Sequence, residues 1–255
     1  MKLDFPVMGT HASLVVPDHV VARIGEQHAQ QALEAARASL EADEQRFSHY
    51  RTDSDISRWC AGDPVDPDAV AEIEHVLREC ERLAVDSDGV FRTVNPRTGA
   101  LDTAGYVKGY AIGKAAGVLA SFGIDSFLVG VGGDVQCVGS LGDQPWRVAI
   151  ADPRAAFGIV AMVDASDRAV ATSGTSQRGD HIWLGPGREP APRADDPASF
   201  TVVGPDISLA DAYATVGFAM GEAGRAWVAR HDGYHSIVVR ADGTVVSDVA
   251  LVSAV

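Results

Sequence analysis

Residues 101–139 read helix, tight stop, apolar strand and glycine turn in direct succession, and that order limits the folds open to the chain. Apolar or small side chains fall at Val107, Ala111, Ala115, Val118, Leu119 and Phe122, the three-and-four spacing of an amphipathic helix. Gly123 stands where a residue in the left-handed conformation closes such a helix. The apolar run 127–131 predicts a buried strand, and Gly132-Gly133-Asp134 closes it with either a plain hairpin turn or a point of close ligand approach. A small-residue turn at Asp102 to Gly105 followed by Lys108 places a cation near the helix start, where a phosphate-bearing ligand is favoured.

Lysine is scarce, occurring only as Lys2, Lys108 and Lys114, which sharpens interest in Lys108. With 255 residues, 46% hydrophobic and 22% charged, the chain has ample material for a core. A net charge of −14 argues against a nucleic-acid partner. No apolar run reaches the length of a bilayer span, so no membrane partner is expected. Cys60, Cys80 and Cys137 have no metal-like spacing, and an odd number argues against a disulfide framework. The start M-K-L-D-F-P-V-M-G-T shows no apolar leader and no cysteine for lipid attachment, so the expectation is a cytoplasmic protein.

Elsewhere a first strand is expected over 7–16, then one long helix capped by Asp18 with an apolar face from Ile24 to Leu40. A mixed loop over 47–60 carries a short helix at 55–59, and Asp66-Pro67 opens a further amphipathic helix. Beyond Gly139 short strands are predicted at 146–150, 159–163, 169–172, 181–184 and 200–203, with a polar loop over 185–197. A helix capped by Ser208 runs to Met220, another lies near 225–231, and a hairpin of 236–240 with 244–255 turns at Asp242-Gly243. Helices first and strands later, without strict alternation, predict an α+β architecture rather than a Rossmann fold, in one large domain or two small ones.

Asp211 and Thr215 lie four apart, hence on one helix face, and could supply two oxygen ligands to Mg²⁺. An Asp favoured by the helix dipole beside an unrelated core Thr is the alternative, and the better one for the pair taken alone. Lys108 is a phosphate or flavin contact or a solvated helix lysine. The run Ala171 to Ser176 is a hydroxyl-rich turn that could line a ligand or simply turn the chain. His181, after that turn, is a candidate base or a structural strand-edge histidine.

In order along the chain stand Met8-Gly9-Thr10, F-S-H-Y-R-T-D-S-D-I-S-R (47–58), G-V-F (89–91) and L-D-T-A-G-Y-V-K-G-Y-A (101–111). V-G-G-D (131–134), A-T-S-G (171–174), His181-Ile182, D-A-Y-A-T (211–215) and Met220-Gly221 complete the series. This series resembles the ApbE family of flavin transferases. The resemblance implies a single domain over 1–255 with an α+β, ApbE-like and T-fold-related architecture, N-terminal helices and a strand-rich C-terminal half. It implies FAD and Mg²⁺ as cofactors and the attachment of FMN to a Thr or Ser of an acceptor protein. It further implies that Met8, Tyr50, Val90, Phe91, Asp102, Lys108, Thr172 and Ile182 line the FAD site. Asp211, Thr215 and the backbone carbonyl of Gly105 would hold Mg²⁺, and His181 would activate the acceptor hydroxyl. The chain departs from the family pattern at Arg92 and Gly113, where acidic residues are usual, and after His181, where it reads W-L-G-P-G-R-E. Ala214 stands where a second carboxylate is sometimes found, and the segment before Leu101 is short. FAD hydrolysis to FMN and AMP, or flavin binding without catalysis, are the alternatives.

Overall fold

The computed structural model describes residues 1–95, 99–155, 157–174 and 196–252. The expected first strand is instead two: β1 (Lys2–Val7) and β2 (Thr10–Val15) pair antiparallel. Met8 and Gly9 join them, both at positive φ (53° and 68°), as a two-residue hairpin turn of the primed kind requires. The single long helix is also two, α1 (Asp18–Ile24) and α2 (Glu26–Phe47). Gly25, at φ 89° and ψ 145°, breaks the helical path, and Pro17 rather than Asp18 holds the N-cap of α1.

The next starts follow the capping rules. Ser54 accepts from the Ser57 amide ahead of α3 (Asp55–Ala61), and Asp66 accepts from the Asp68 amide ahead of α4 (Pro67–Asp86). Then come α5 (Ala104–Ser121), β3 (Phe127–Val131), β4 (Asp134–Val138), β5 (Arg147–Ala151), β6 (Ile159–Asp164) and β7 (Ala169–Gly174). The chain continues through β8 (Pro197–Gly204), α6 (Ile207–Met220), α7 (Glu222–Val228), β9 (His235–Arg240) and β10 (Val245–Ser247). Asp206, not Ser208, caps α6, because its carboxylate reaches the Leu209 amide while Ser208 already lies inside the helix. The last strand is three residues long, far shorter than the expected 244–255. The predicted strand 181–184 and nearly all of the 185–197 loop lie outside the described residues.

Eight strands form one antiparallel sheet in the order β1-β2-β3-β4-β7-β8-β9-β10, and β5 with β6 forms a separate hairpin. Alternation along the strands shows how it is covered. In β8 and β9, Val202 and Val238 join the cluster that also holds Leu33, Leu40, Ile112, Leu119 and Val216 of the helices. Their neighbours Val203, Ile237 and Val239 join Ile150 and Val163 of the β5–β6 hairpin. Successive side chains point to opposite faces, so the helices cover one face and the hairpin covers part of the other. That is why the central strands read as continuous apolar runs. On the helical side α5 and α6 approach so closely that a Cβ on Gly109 would sit 2.5 Å from the Ile207 carbonyl oxygen and 2.9 Å from the Asp211 Cβ. This approach brings the start of α5 against the middle of α6.

Candidate active site

A cavity of about 560 Å³ opens where the first turns of α5 meet α6, the 132–133 turn and the end of β7. Its wall includes Phe91, Gly105, Lys108, Thr172, Asp211 and Thr215. The β5–β6 loop adds Asp152 and Pro153. The glycine pair at 132–133 satisfies both sequence readings, since it turns the β3–β4 hairpin and also lines the cavity.

Charge at the cavity centres on one ammonium. Lys108 Nζ lies 2.5 Å from Asp134 Oδ2 and 3.4 Å from Asp211 Oδ1. Both carboxylates are almost sealed from solvent. Asp134 Oδ1 accepts from the Thr172 amide at 2.8 Å, and Asp211 Oδ2 accepts from the Gly109 amide at 2.9 Å. Burial pushes the Asp211 carboxyl up to about 7; Lys108 opposes this and Asp134 adds to it. Two acids around one base leave an excess of negative charge at this end.

Hydroxyls border the same cavity. Thr215 Oγ1 is 3.3 Å from Ser173 Oγ, and Thr172 Oγ1 is 2.8 Å from Thr201 Oγ1. Gly105 packs beneath them, since a Cβ there would lie 3.2 Å from the Phe91 ring and 3.5 Å from Thr215 Cγ2. The start of α5 is held twice: Asp102 Oδ1 accepts from the Ala104 amide, and His49 Nε2 accepts from the Thr103 amide at 3.1 Å.

Val90, Phe91, Asp102, Gly105, Lys108, Thr172, Asp211 and Thr215 of the sequence-derived set therefore meet at one cavity. Met8 instead packs half-buried against the helix-side core, and its neighbours Gly9, Thr10 and His11 reach the wall. Tyr50 is 98% exposed and takes no part in the wall. His181 and Ile182 lie outside the described residues. Arg92 and His11 line the cavity without having been singled out as site residues, Ser173 of the hydroxyl-rich run also lines it, and Asp134 reads in sequence only as the end of a turn. An acid between a glycine pair and an apolar strand that has to be buried was the available signal for Asp134.

No group of three or more His, Cys, Asp or Glu able to hold a metal occurs among the described residues. The oxygen set of Asp211, Thr215 and the Gly105 carbonyl is smaller, but it is all hard donors beside surplus negative charge. Mg²⁺, which keeps several waters and often takes phosphate oxygens, fits such a set. Among the described residues no helix is long and apolar enough to cross a membrane.

Sheet order, one-sided helical cover and this cavity define an α+β protein with the fold of the flavin transferases. The flavin transferase ApbE of Vibrio cholerae superposes with a TM-score of 0.73 at 21% identity, covering 97% of this chain and 96% of that one. The apo flavinyl transferase ApbE of Pseudomonas stutzeri gives 0.75 at 22%, covering 97% and 93%. The ApbE protein of Thermotoga maritima gives 0.76 at 21%, covering 97% and 96%. The ApbE family model matches residues 8–98 and 92–238, and the chain belongs to that family. It is 40% identical over 88 residues to an FAD:protein FMN transferase of Rhodobacter capsulatus, a stretch covering 34% of this chain and 16% of that protein. A second FAD:protein FMN transferase, from Vibrio cholerae serotype O1, is 30% identical over 108 residues, covering 42% of this chain and 30% of the other.

Proposed function

We propose that the chain moves FMN from FAD to a Thr or Ser hydroxyl of an acceptor protein and releases AMP. The observation that carries this reading is the convergence of Lys108, Asp211, Thr215 and Gly105, drawn from two helices, on one cavity in a chain of this family. In the reaction the acceptor oxygen bonds to the FMN-side phosphorus. The bond from that phosphorus to the bridging oxygen breaks, and AMP departs with the electron pair.

Asp211, Thr215 and the Gly105 carbonyl would hold Mg²⁺, which supplies neutralisation of the diphosphate and of the charge growing on AMP. Asp134 and Asp211 fix the Lys108 ammonium at the same end. Phe91, buried against Gly105, gives the wall an apolar plane suited to a ring system. The proton of the acceptor hydroxyl passes to His181, the base implied by the family resemblance. A cytoplasmic site of action belongs to this reading and is supported by three free cysteines.

The test is incubation of the purified protein with FAD, Mg²⁺ and an acceptor domain, followed by intact-mass measurement of the acceptor. A gain equal to FMN less one water, lost in Asp211→Asn and without Mg²⁺, is the expected result. Release of free FMN without acceptor would instead make the protein a hydrolase, and tightly held but unaltered FAD would make it a binding protein.

A further inference from the structure

Arg92 lines the cavity and directly follows Phe91, which packs against Gly105. The backbone beneath it is firmly held. Ser87 Oγ donates to the Leu83 carbonyl at 2.7 Å and accepts from the Phe91 amide at 2.9 Å. Phe91 itself is buried, and Arg92 Nε donates to the Gly89 carbonyl at 3.1 Å. One edge of the guanidinium is thus anchored on the protein, while the residue as a whole remains exposed.

The cavity-lining carboxylate Asp102 accepts from the Ala104 amide and forms no ion pair with Arg92. Lys108 is shared by Asp134 and Asp211, and Asp152 is taken by Arg154 at 2.9 Å. Among the described residues, no carboxylate forms an ion pair with Arg92. A dianionic diphosphate entering this cavity meets one committed ammonium and one uncommitted guanidinium. A guanidinium presents a planar fork that matches two phosphate oxygens, whereas an ammonium acts only as a point charge.

We propose that Arg92 is a diphosphate-binding residue of this chain, its free guanidinium nitrogens taking oxygens of the FAD diphosphate. The assignment rests on the flavin-nucleotide reading above. It gives the cavity a second cation besides Lys108.

Titration calorimetry with FAD and separately with ADP, on the full chain and on Arg92→Gln and Arg92→Lys, decides it. Arg92→Gln is expected to weaken both ligands by on the order of tenfold to a hundredfold, the range of a charge-assisted hydrogen bond. Arg92→Lys is expected to recover part of that loss, and the thermal midpoint should not move in either variant, because the side chain is exposed. Unchanged affinity for both ligands in Arg92→Gln overturns the proposal. So does a loss confined to FAD, which would place the guanidinium on the flavin ring. Failure of the unsubstituted protein to take up either ligand would overturn the flavin reading together with the proposal.

Discussion

Asp134 Oδ2 stands 2.5 Å from Lys108 Nζ, so a residue at the end of a glycine turn holds the cation at the start of a helix. Asp134→Asn keeps the shape but removes the charge nearest Lys108, leaving Asp211 at 3.4 Å as the remaining carboxylate described beside it. Lys108 retains some solvent contact, so the expected cost is on the order of 2–3 kcal/mol, at or below the low end for breaking a buried pair. Urea unfolding of the two proteins measures it, and a change below about 0.5 kcal/mol, typical of a neutral surface position, would show the pair to be inconsequential for folding.

Two glycines of α5 should respond in opposite directions. Gly109→Ala gains helix propensity but drives a Cβ into the Ile207 carbonyl and Asp211, so a net loss of about 1–3 kcal/mol or more is expected. Gly117 is exposed and has nothing within 4 Å of its would-be Cβ, so Gly117→Ala should stabilise by about 0.5–1 kcal/mol. Equal effects at both positions, read from denaturation midpoints, would mean that the α5–α6 contact is looser than described.

His49 makes the start of α5 sensitive to acid. The Thr103 amide can donate to Nε2 only while that nitrogen is unprotonated, and burial holds the imidazole below its ordinary value of 6.5. A histidine with a depressed folded pKa binds protons more readily when unfolded. Its contribution is therefore present above the unfolded pKa and is lost as pH falls from about 6.5 toward the folded value. His49→Gln keeps an acceptor without a titration, so stability should fall less between pH 7 and 5 than in the unsubstituted protein. Identical slopes in thermal unfolding across that range would remove His49 from the account.

Lys114 repeats the arrangement of Lys108 on another side of α5. Its ammonium reaches the fully buried Asp43 at 2.7 Å and also contacts Glu72, which accepts from the Tyr110 hydroxyl. Lys114→Met leaves a carboxylate whose pKa burial already raises with only the more distant Arg46, 4.0 Å away, as a described cation partner, and should cost about 3 kcal/mol near neutral pH. A raised carboxyl is least costly when protonated, so the deficit should shrink as pH falls toward 5 and grow toward 8. Chemical denaturation at the three pH values checks both magnitude and direction.

Several elements were legible because their signals are local. The α5 periodicity, the Asp66-Pro67 start of α4 and the Ser54-led short helix each depend on residues within one or two turns. The misread starts have local causes too. Gly25 lies inside a periodic pattern that continues across it, and Met8-Gly9 turns the chain with only one glycine to announce the fact. Strand alternation could not say which face met the helices and which met the β5–β6 hairpin, because both faces are apolar.

The sequence by itself determined the α+β class, the family, and eight of the residues that line the cavity, all readable from order and short spacing. Tertiary structure alone decided that Lys108 is bound between Asp134 and Asp211, that Tyr50 stands in solvent, and that Arg92 faces the cavity. The physical reason is separation along the chain. The Gly109–Asp211 hydrogen bond spans 102 residues and the His49–Thr103 bond spans 54, and neither exists until α5 has packed against α6 and the loop before α3 has folded over it.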